Sequence, residues 1–264
     1  MKTRALLEIS VEAIDAATAA MRGGADRVEL CQDLSAGGVT PSAATMREAR
    51  QQIAIPIFVM IRPRAGDFCY SPAELEQMKR QIELAQKAQM DGVVFGILTR
   101  NGSVDVRRCA ELVELAKPLP ATFHRAFDEQ KGHGQKLWLD RLEDVISTGA
   151  TRLLTSGGRR TAEEGCPRLA RFVSHAGGRI SLLPGGSIRP GNLKDIAKKT
   201  RAAEFHSGLS NLLPYHRRNN KEFETGVREL AQALEEVACE AAEADHGGDR
   251  RVRQKMPGLP RLSS

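Results

Sequence analysis

Two carboxylates stand where carboxylates are costly: Glu8 within Leu-Leu-Glu-Ile and Glu29 within Val-Glu-Leu-Cys. A charge inside an apolar run must be paired, or held ready for chemistry, to offset the water it loses. Partners of the right sign are at hand in Arg62, Arg64 and Arg125, and in His124 and His206. Histidine titrates closest to neutral pH and suits acid–base or ligand roles. The expected catalytic set is therefore Glu8 or Glu29 as base, His124 with Asp128 as an acid or orienting pair, and Arg62 beside them. The competing reading is a buried ion-pair network that only holds the structure together.

Three glycine-rich turns add a second kind of chemistry: Ser156-Gly157-Gly158, Gly185-Gly186-Ser187 and His206-Ser207-Gly208. Glycines let backbone N–H groups approach an anion closely. With Arg64 and Arg125, the residues Ser156, Gly157, Gly185, Gly186, His206 and Ser207 make a candidate substrate-binding set for a small anion. Tight-turn geometry alone would also account for these glycines.

The elements that must position these residues alternate along the chain. Short apolar runs read as strands at Leu6–Ile9, Arg27–Cys31, Ile57–Ile61, Gly92–Ile97, Ala121–His124, Arg152–Thr155, Ile180–Leu183 and Ala203–His206. Between them lie stretches of helical periodicity, among them Ala13–Arg22, Pro72–Gln89, Val104–Ala116, Leu137–Thr148 and a final Lys221–Ala242. Gly23-Gly24 suits a left-handed helix end, and a similar Gly-Ala step recurs at Gly149-Ala150. Eight strand–helix units predict a (β/α)8 barrel over residues 1–245; a doubly wound open sheet is the alternative. In either case the polar residues named above fall at the C-terminal ends of strands, where the chemistry of such barrels sits.

Composition bounds the partners. Of the net charge of +6, five positive charges (Arg250, Arg251, Arg253, Lys255 and Arg261) lie in the last fifteen residues, which contain no acid. The body is thus nearly neutral, and without interleaved aromatics it has no nucleic-acid footprint. Residues 246–264 read as a disordered basic tail, with a protein-binding arm as the weaker alternative. No apolar run reaches the ~18 residues of a membrane span. Five scattered cysteines without a CxxC pair, behind an N-terminus unlike a signal peptide, predict reduced thiols and a cytoplasmic protein. Apolar helix faces on barrels of this kind commonly pair them into homo-oligomers.

Several strings together resemble the CutC family of copper homeostasis proteins. They are residues 23–31 (Gly-Gly-Ala-Asp-Arg-Val-Glu-Leu-Cys), 37–42 (Gly-Gly-Val-Thr-Pro-Ser), 60–71 (Met-Ile-Arg-Pro-Arg-Ala-Gly-Asp-Phe-Cys-Tyr-Ser), 122–128 (Thr-Phe-His-Arg-Ala-Phe-Asp), Leu154–Gly157 and Pro184–Gly186. The resemblance implies a TIM barrel, a cytoplasmic location and a copper role. Cu(I) prefers two or three soft sulfur ligands. Cys31 matches a family cysteine, but Ser10 stands where many members carry the second, which leaves Cys69 as the available partner. The resemblance thus predicts a Cu(I) protein with Cys31 and Cys69 as ligands. The polar strand ends predict instead an enzyme acting on a small anionic or phosphorylated metabolite.

Overall fold

The computed structural model describes residues 4–130, 134–209 and 219–253. Strands and helices alternate as β1 (Leu6–Val11), α1 (Ile14–Arg22), β2 (Arg27–Leu30), α2 (Ala43–Gln52), β3 (Ile57–Met60), α3 (Pro72–Lys87), β4 (Gly92–Phe95) and α4 (Val106–Ala116). The second half continues with β5 (Ala121–Phe123), α5 (Gln135–Ser147), β6 (Arg152–Thr155), α6 (Ala162–Ala176), β7 (Ser181–Pro184), α7 (Pro190–Thr200), β8 (Glu204–Ser207) and α8 (Asn220–Arg253). All neighbouring strands are parallel, in the order β7-β6-β5-β4-β3-β2-β1-β8. The two ends of this ladder meet through side chains. Ser181 Oγ donates to Glu204 Oε1 at 2.8 Å, and Ser207 Oγ donates to Ile188 O at 2.7 Å. The fold is the eight-stranded barrel, and the open-sheet alternative falls away.

Period-two alternation splits the strands between two cores. Leu7, Ile9 and Val11 of β1, Val28 and Leu30 of β2, and Ile57 and Val59 of β3 face outward into the apolar layer under the helices. The alternate positions face the barrel interior, where the apolar side chains are Cys31, Phe58, Met60 and Val94, with Leu154 and Leu183 across from them. The rest of that interior is polar, with Glu8, Arg27, Glu29 and His206 all buried. Register makes them neighbours, since Glu8 lies beside Arg27 on one side and His206 on the other, and Ser10 lies beside Glu29.

Local chemistry sets the element boundaries. Helix α3 opens on a reciprocal cap in which Ser71 Oγ accepts from Glu74 N and Glu74 Oε2 accepts from Ser71 N. Helix α1 ends at Gly23, and Gly24 supplies the left-handed residue at φ +94°. Helix α8 runs to Arg253, through the first residues of the segment expected as a tail. Two glycines at about 1 kcal/mol each do not stop a long helix already propagated from a packed start. The remainder of the expected tail, 254–264, lies outside the described residues.

Candidate functional site

A continuous line of buried polar side chains climbs the barrel interior from its N-terminal end to its mouth. At the bottom, Glu204 at the start of β8 accepts from Arg27 at 2.7 Å, from Arg152 at 3.0 Å and from Ser181 at 2.8 Å. Both guanidinium groups also stack on Phe58, at 4.6 and 5.0 Å from its ring centre. Arg27 reaches up to Glu8 with Nε–Oε2 2.5 Å, and Glu8 Oε1 lies 2.7 Å from His206 Nδ1. His206 Nε2 in turn lies 3.9 Å from Glu29 Oε2. The lower part of this line is satisfied, as a structural ion network must be.

The upper part is not. Glu29 accepts a weak bond from Cys31 Sγ at 3.5 Å on one oxygen, while its other oxygen, Oε1, is buried without a hydrogen-bond partner. Burial pushes its carboxyl up to about 6, with nearby Glu8 adding to the rise against the pull of His206. For Glu8 burial also works upward, but Arg27 and the His206 bond outweigh it and hold the carboxyl near about 2. His206 is pulled down by burial, yet Glu29 and Glu8 together keep it above its ordinary value. Glu8 is thus a fixed anion that orients His206, and Glu29 is a carboxylate poised to exchange a proton near neutral pH.

His124, just past β5, is the third member of this upper group. Its Nδ1 accepts from Ala126 N at 3.2 Å, so the neutral ring carries its proton on Nε2, a buried atom with no partner. Burial, reinforced by the Arg62 charge, lowers its pKa to about 3 and keeps it neutral. Phe68 packs edge-on against the ring at 4.9 Å. Gly96 leaves room for it, since a Cβ there would come within 2.7 Å of His124 Nδ1.

Glu29, His124 and His206 line one cavity of about 280 Å³ at the barrel mouth, together with Ser10, Phe68, Arg125, Gly186 and Ser187. Its far wall is backbone of uncommon shape: Gly186 at φ +105° and Ser187 at φ +56°. Non-glycine residues held in the left-handed region concentrate at functional sites. Arg125 is fixed beside this wall by Asp128 (Nε–Oδ2 2.9 Å) and Ser156 Oγ (3.2 Å), with Nη1 turned toward Gly186. Among the described residues, Glu8, Glu29 and His206 also offer three ligand atoms within 4.8 Å of one another, the spacing of a metal or small-ion site.

Other expected residues have different work. Asp128 does not orient His124; its two oxygens accept from Arg125, Thr155 Oγ1, Ser156 N and Gly158 N, and so fix the turn after β6. Arg62 donates to the carbonyls of Ala36, Gly38 and Gly66 and stacks on Phe68, which ties loops together beneath the cavity. Arg64 clamps its own loop through Glu74, Asp67 and Cys69 O. Ser156 Oγ donates to Arg159 O, and Ser207 Oγ to Ile188 O, so both hydroxyls serve local structure. Gly157 packs against Gly165, and Gly185 against Leu154 and His206, as close-approach positions. Arg27, Arg152 and Glu204 were not anticipated. Arg27 was within reach, because it precedes Glu29 by two residues and so shares its face.

The expectation of Cu(I) held by Cys31 and Cys69 is overturned. Burial, followed by Glu29 and Glu8, drives the Cys31 thiol well above its ordinary pKa, which opposes the thiolate a soft metal needs. Cys69 donates its thiol to Thr99 O at 3.2 Å, in the loop after β3. The cluster that gathers at the mouth is Glu/Glu/His, not sulfur. All five cysteines are free, and no helix among the described residues is long and apolar enough to cross a membrane.

Comparison with known proteins places this site in a family. A protein described as a copper homeostasis protein cutC homolog, from Homo sapiens, is 46% identical over 201 residues, 76% of this chain and 72% of that one. A solved structure of a copper homeostasis protein CutC from Streptococcus agalactiae superposes with a TM-score of 0.72 at 31% identity, covering 77% of this chain and 98% of that one. Thiamine phosphate pyrophosphorylase from Pyrococcus furiosus superposes with a TM-score of 0.58 over 88% of this chain and 96% of its own. At 16% identity that likeness concerns the fold alone. The CutC family profile matches residues 5–211, which hold β1 to β8 and every residue that lines the mouth cavity among the described residues. The chain belongs to the CutC family.

Proposed function

We propose that the chain is an enzyme acting on a small anionic, in particular phosphorylated, metabolite bound at the barrel mouth. The observation that carries this reading is that two residues lining one cavity, Glu29 and His124, each hold a buried polar atom without a protein partner, Oε1 and Nε2. Each such atom costs about 1–3 kcal/mol in a purely structural setting, and a ligand that meets both removes the cost. Glu29 is the proton acceptor, with His206 as its partner across 3.9 Å and Glu8 behind His206 holding the ring. Arg125 and the Gly186-Ser187 backbone take the anionic group. The cavity, at about 280 Å³, is at the lower edge of ordinary ligand sites (~300–1,000 Å³) and suits a metabolite of a few carbons.

A divalent cation on Glu29 and His206 is the second reading, favoured by the 4.8 Å spacing of the cluster. It leaves Glu8 on His206 Nδ1 but requires His206 to give up the Nε2 proton that Glu29 and Glu8 favour. The copper in the relatives' names belongs to those proteins and has no thiol site here to carry it over.

A thermal-shift screen of phosphorylated and carboxylated metabolites tests the proposal. A ligand present at 100 times its Kd adds about 2.7 kcal/mol. For a chain of this size that is a rise of roughly 5–10 °C in Tm. The shift should vanish in Arg125→Ala. A flat screen, or shifts unchanged by Arg125→Ala, refutes the reading.

A further inference from the structure

The mouth pairs a hydrogen-bond donor with a base, and that combination narrows the chemistry. We propose, resting on the reading above, that the substrate carries a carbonyl beside a C–H bond, that His124 Nε2–H receives the carbonyl oxygen, and that Glu29 exchanges the proton on the neighbouring carbon.

Three observations converge on this class. First, the His124 tautomer is fixed by the Ala126 N–H on Nδ1, so the unpartnered nitrogen of this cavity-lining ring is a donor and not an acceptor. Its acceptor must come from the ligand. A neutral imidazole donor suits an oxygen that gains charge during reaction, because it stabilises the oxyanion without protonating it beforehand. Second, Glu29 lines the same cavity and holds a buried carboxylate oxygen without a protein partner, and His206 beside it is a second station for the proton. Third, Arg125 is held at a fixed position on the wall by Asp128 and Ser156, so the anionic group of the substrate has one place to go. Substrate anchored there leaves its other end to the donor and the base.

The step balances without an oxidant or reductant. The C–H bond breaks as Glu29 takes the proton. Its electron pair becomes the C=C bond of an enolate, and the carbonyl π pair moves to the oxygen facing His124 Nε2–H. In return, Glu29 gives a proton back to carbon, the C=C bond reverts, and the carbonyl reforms. Protonation at the first carbon gives exchange with solvent; where that carbon bears a hydroxyl, transfer of the hydroxyl proton to the enolate oxygen and protonation at the neighbouring carbon move the carbonyl and give an isomer.

The test is deuterium wash-in followed by proton NMR, with dihydroxyacetone phosphate, glyceraldehyde 3-phosphate, ribulose 5-phosphate and pyruvate as probes in D2O. At least one probe should lose its C–H signal beside the carbonyl far faster than without protein. Glu29→Gln should return the rate to background, Glu29→Asp should restore part of it, and His124→Ala should slow it on the order of 10²-fold. Urea unfolding of each variant separates a lost step from a lost fold. Saturable, Arg125-dependent binding of phosphoglycolate with background exchange of all four probes overturns the carbonyl assignment and leaves the anion site standing. Neither binding nor exchange overturns both.

Discussion

Neutralising Glu29 should make the protein more stable, not less, and by an amount that depends on pH. In the fold its carboxyl rises from an ordinary 4.5 to about 6, chiefly because burial disfavours the charged form. A shift of that size corresponds to about 2 kcal/mol. The sign follows from linkage: the folded state holds this proton more tightly than the unfolded chain does. The penalty is therefore absent below pH about 4.5, accrues between 4.5 and 6, and is complete above about 6. Glu29→Gln keeps the shape and removes the ionisation. Urea unfolding at pH 5 and pH 8 should show the variant gaining on the native chain by up to ~2 kcal/mol at the higher pH. Part of this gain is offset because His206 loses one of the anions that keep it charged. A purely structural ion-pair member would behave the other way, since breaking a satisfied buried pair costs about 3–5 kcal/mol. A variant that is destabilised at pH 8, or a difference that does not change with pH, refutes the view that Glu29 is strained for function.

Four further outcomes follow from the same geometry. Arg27→Met leaves Glu8 and Glu204 buried without their shared cation and should lose about 3–5 kcal/mol, read as a lower urea midpoint at neutral pH. Gly96→Ala drives a methyl against His124 Nδ1, so ligand-dependent thermal shifts should collapse while the unfolding free energy changes by only about 1–3 kcal/mol. In the native state Cys31 and Cys109 should resist a thiol reagent that labels all five cysteines after unfolding, and Cys31→Ser should leave Cu(I) competition against a chelator unchanged. Calorimetric titration with Zn2+ or Mn2+ should give no tight binding at the Glu/Glu/His cluster; a stoichiometric site lost in Glu29→Gln would favour the cation reading instead.

The barrel was legible because its signal is local and repeated. All eight strands fall on the apolar runs that announce them, and Gly24 and Gly149 take the left-handed conformations their helix ends called for. Glu8, Glu29 and His206 stand out because a polar residue inside an apolar strand is anomalous, and His124 because it ends the fifth apolar run; their joint role is the one we propose. What escaped depends on contacts between segments far apart in the chain. Arg62, Arg64 and Asp128 look like free functional groups in one dimension, yet each is engaged by loop carbonyls, backbone amides or acids. Cys31 matched a family cysteine and shares a face with Glu29 two residues before it, but pattern alone does not reveal that Glu8 of the neighbouring strand also acts on its buried thiol. The strain at Ser187 has no sequence signal beyond the two glycines before it.

The most direct test is a pH titration of the histidine ring nitrogens by 15N NMR. His124 should remain neutral with its proton on Nε2 down through pH 5, as its lowered pKa of about 3 requires. His206 should stay charged above its ordinary range and report a second step near pH 6 as Glu29 ionises. An ordinary titration of His124 near 6.5, or a His206 blind to any neighbouring carboxyl, would contradict the mouth as a built acid–base site.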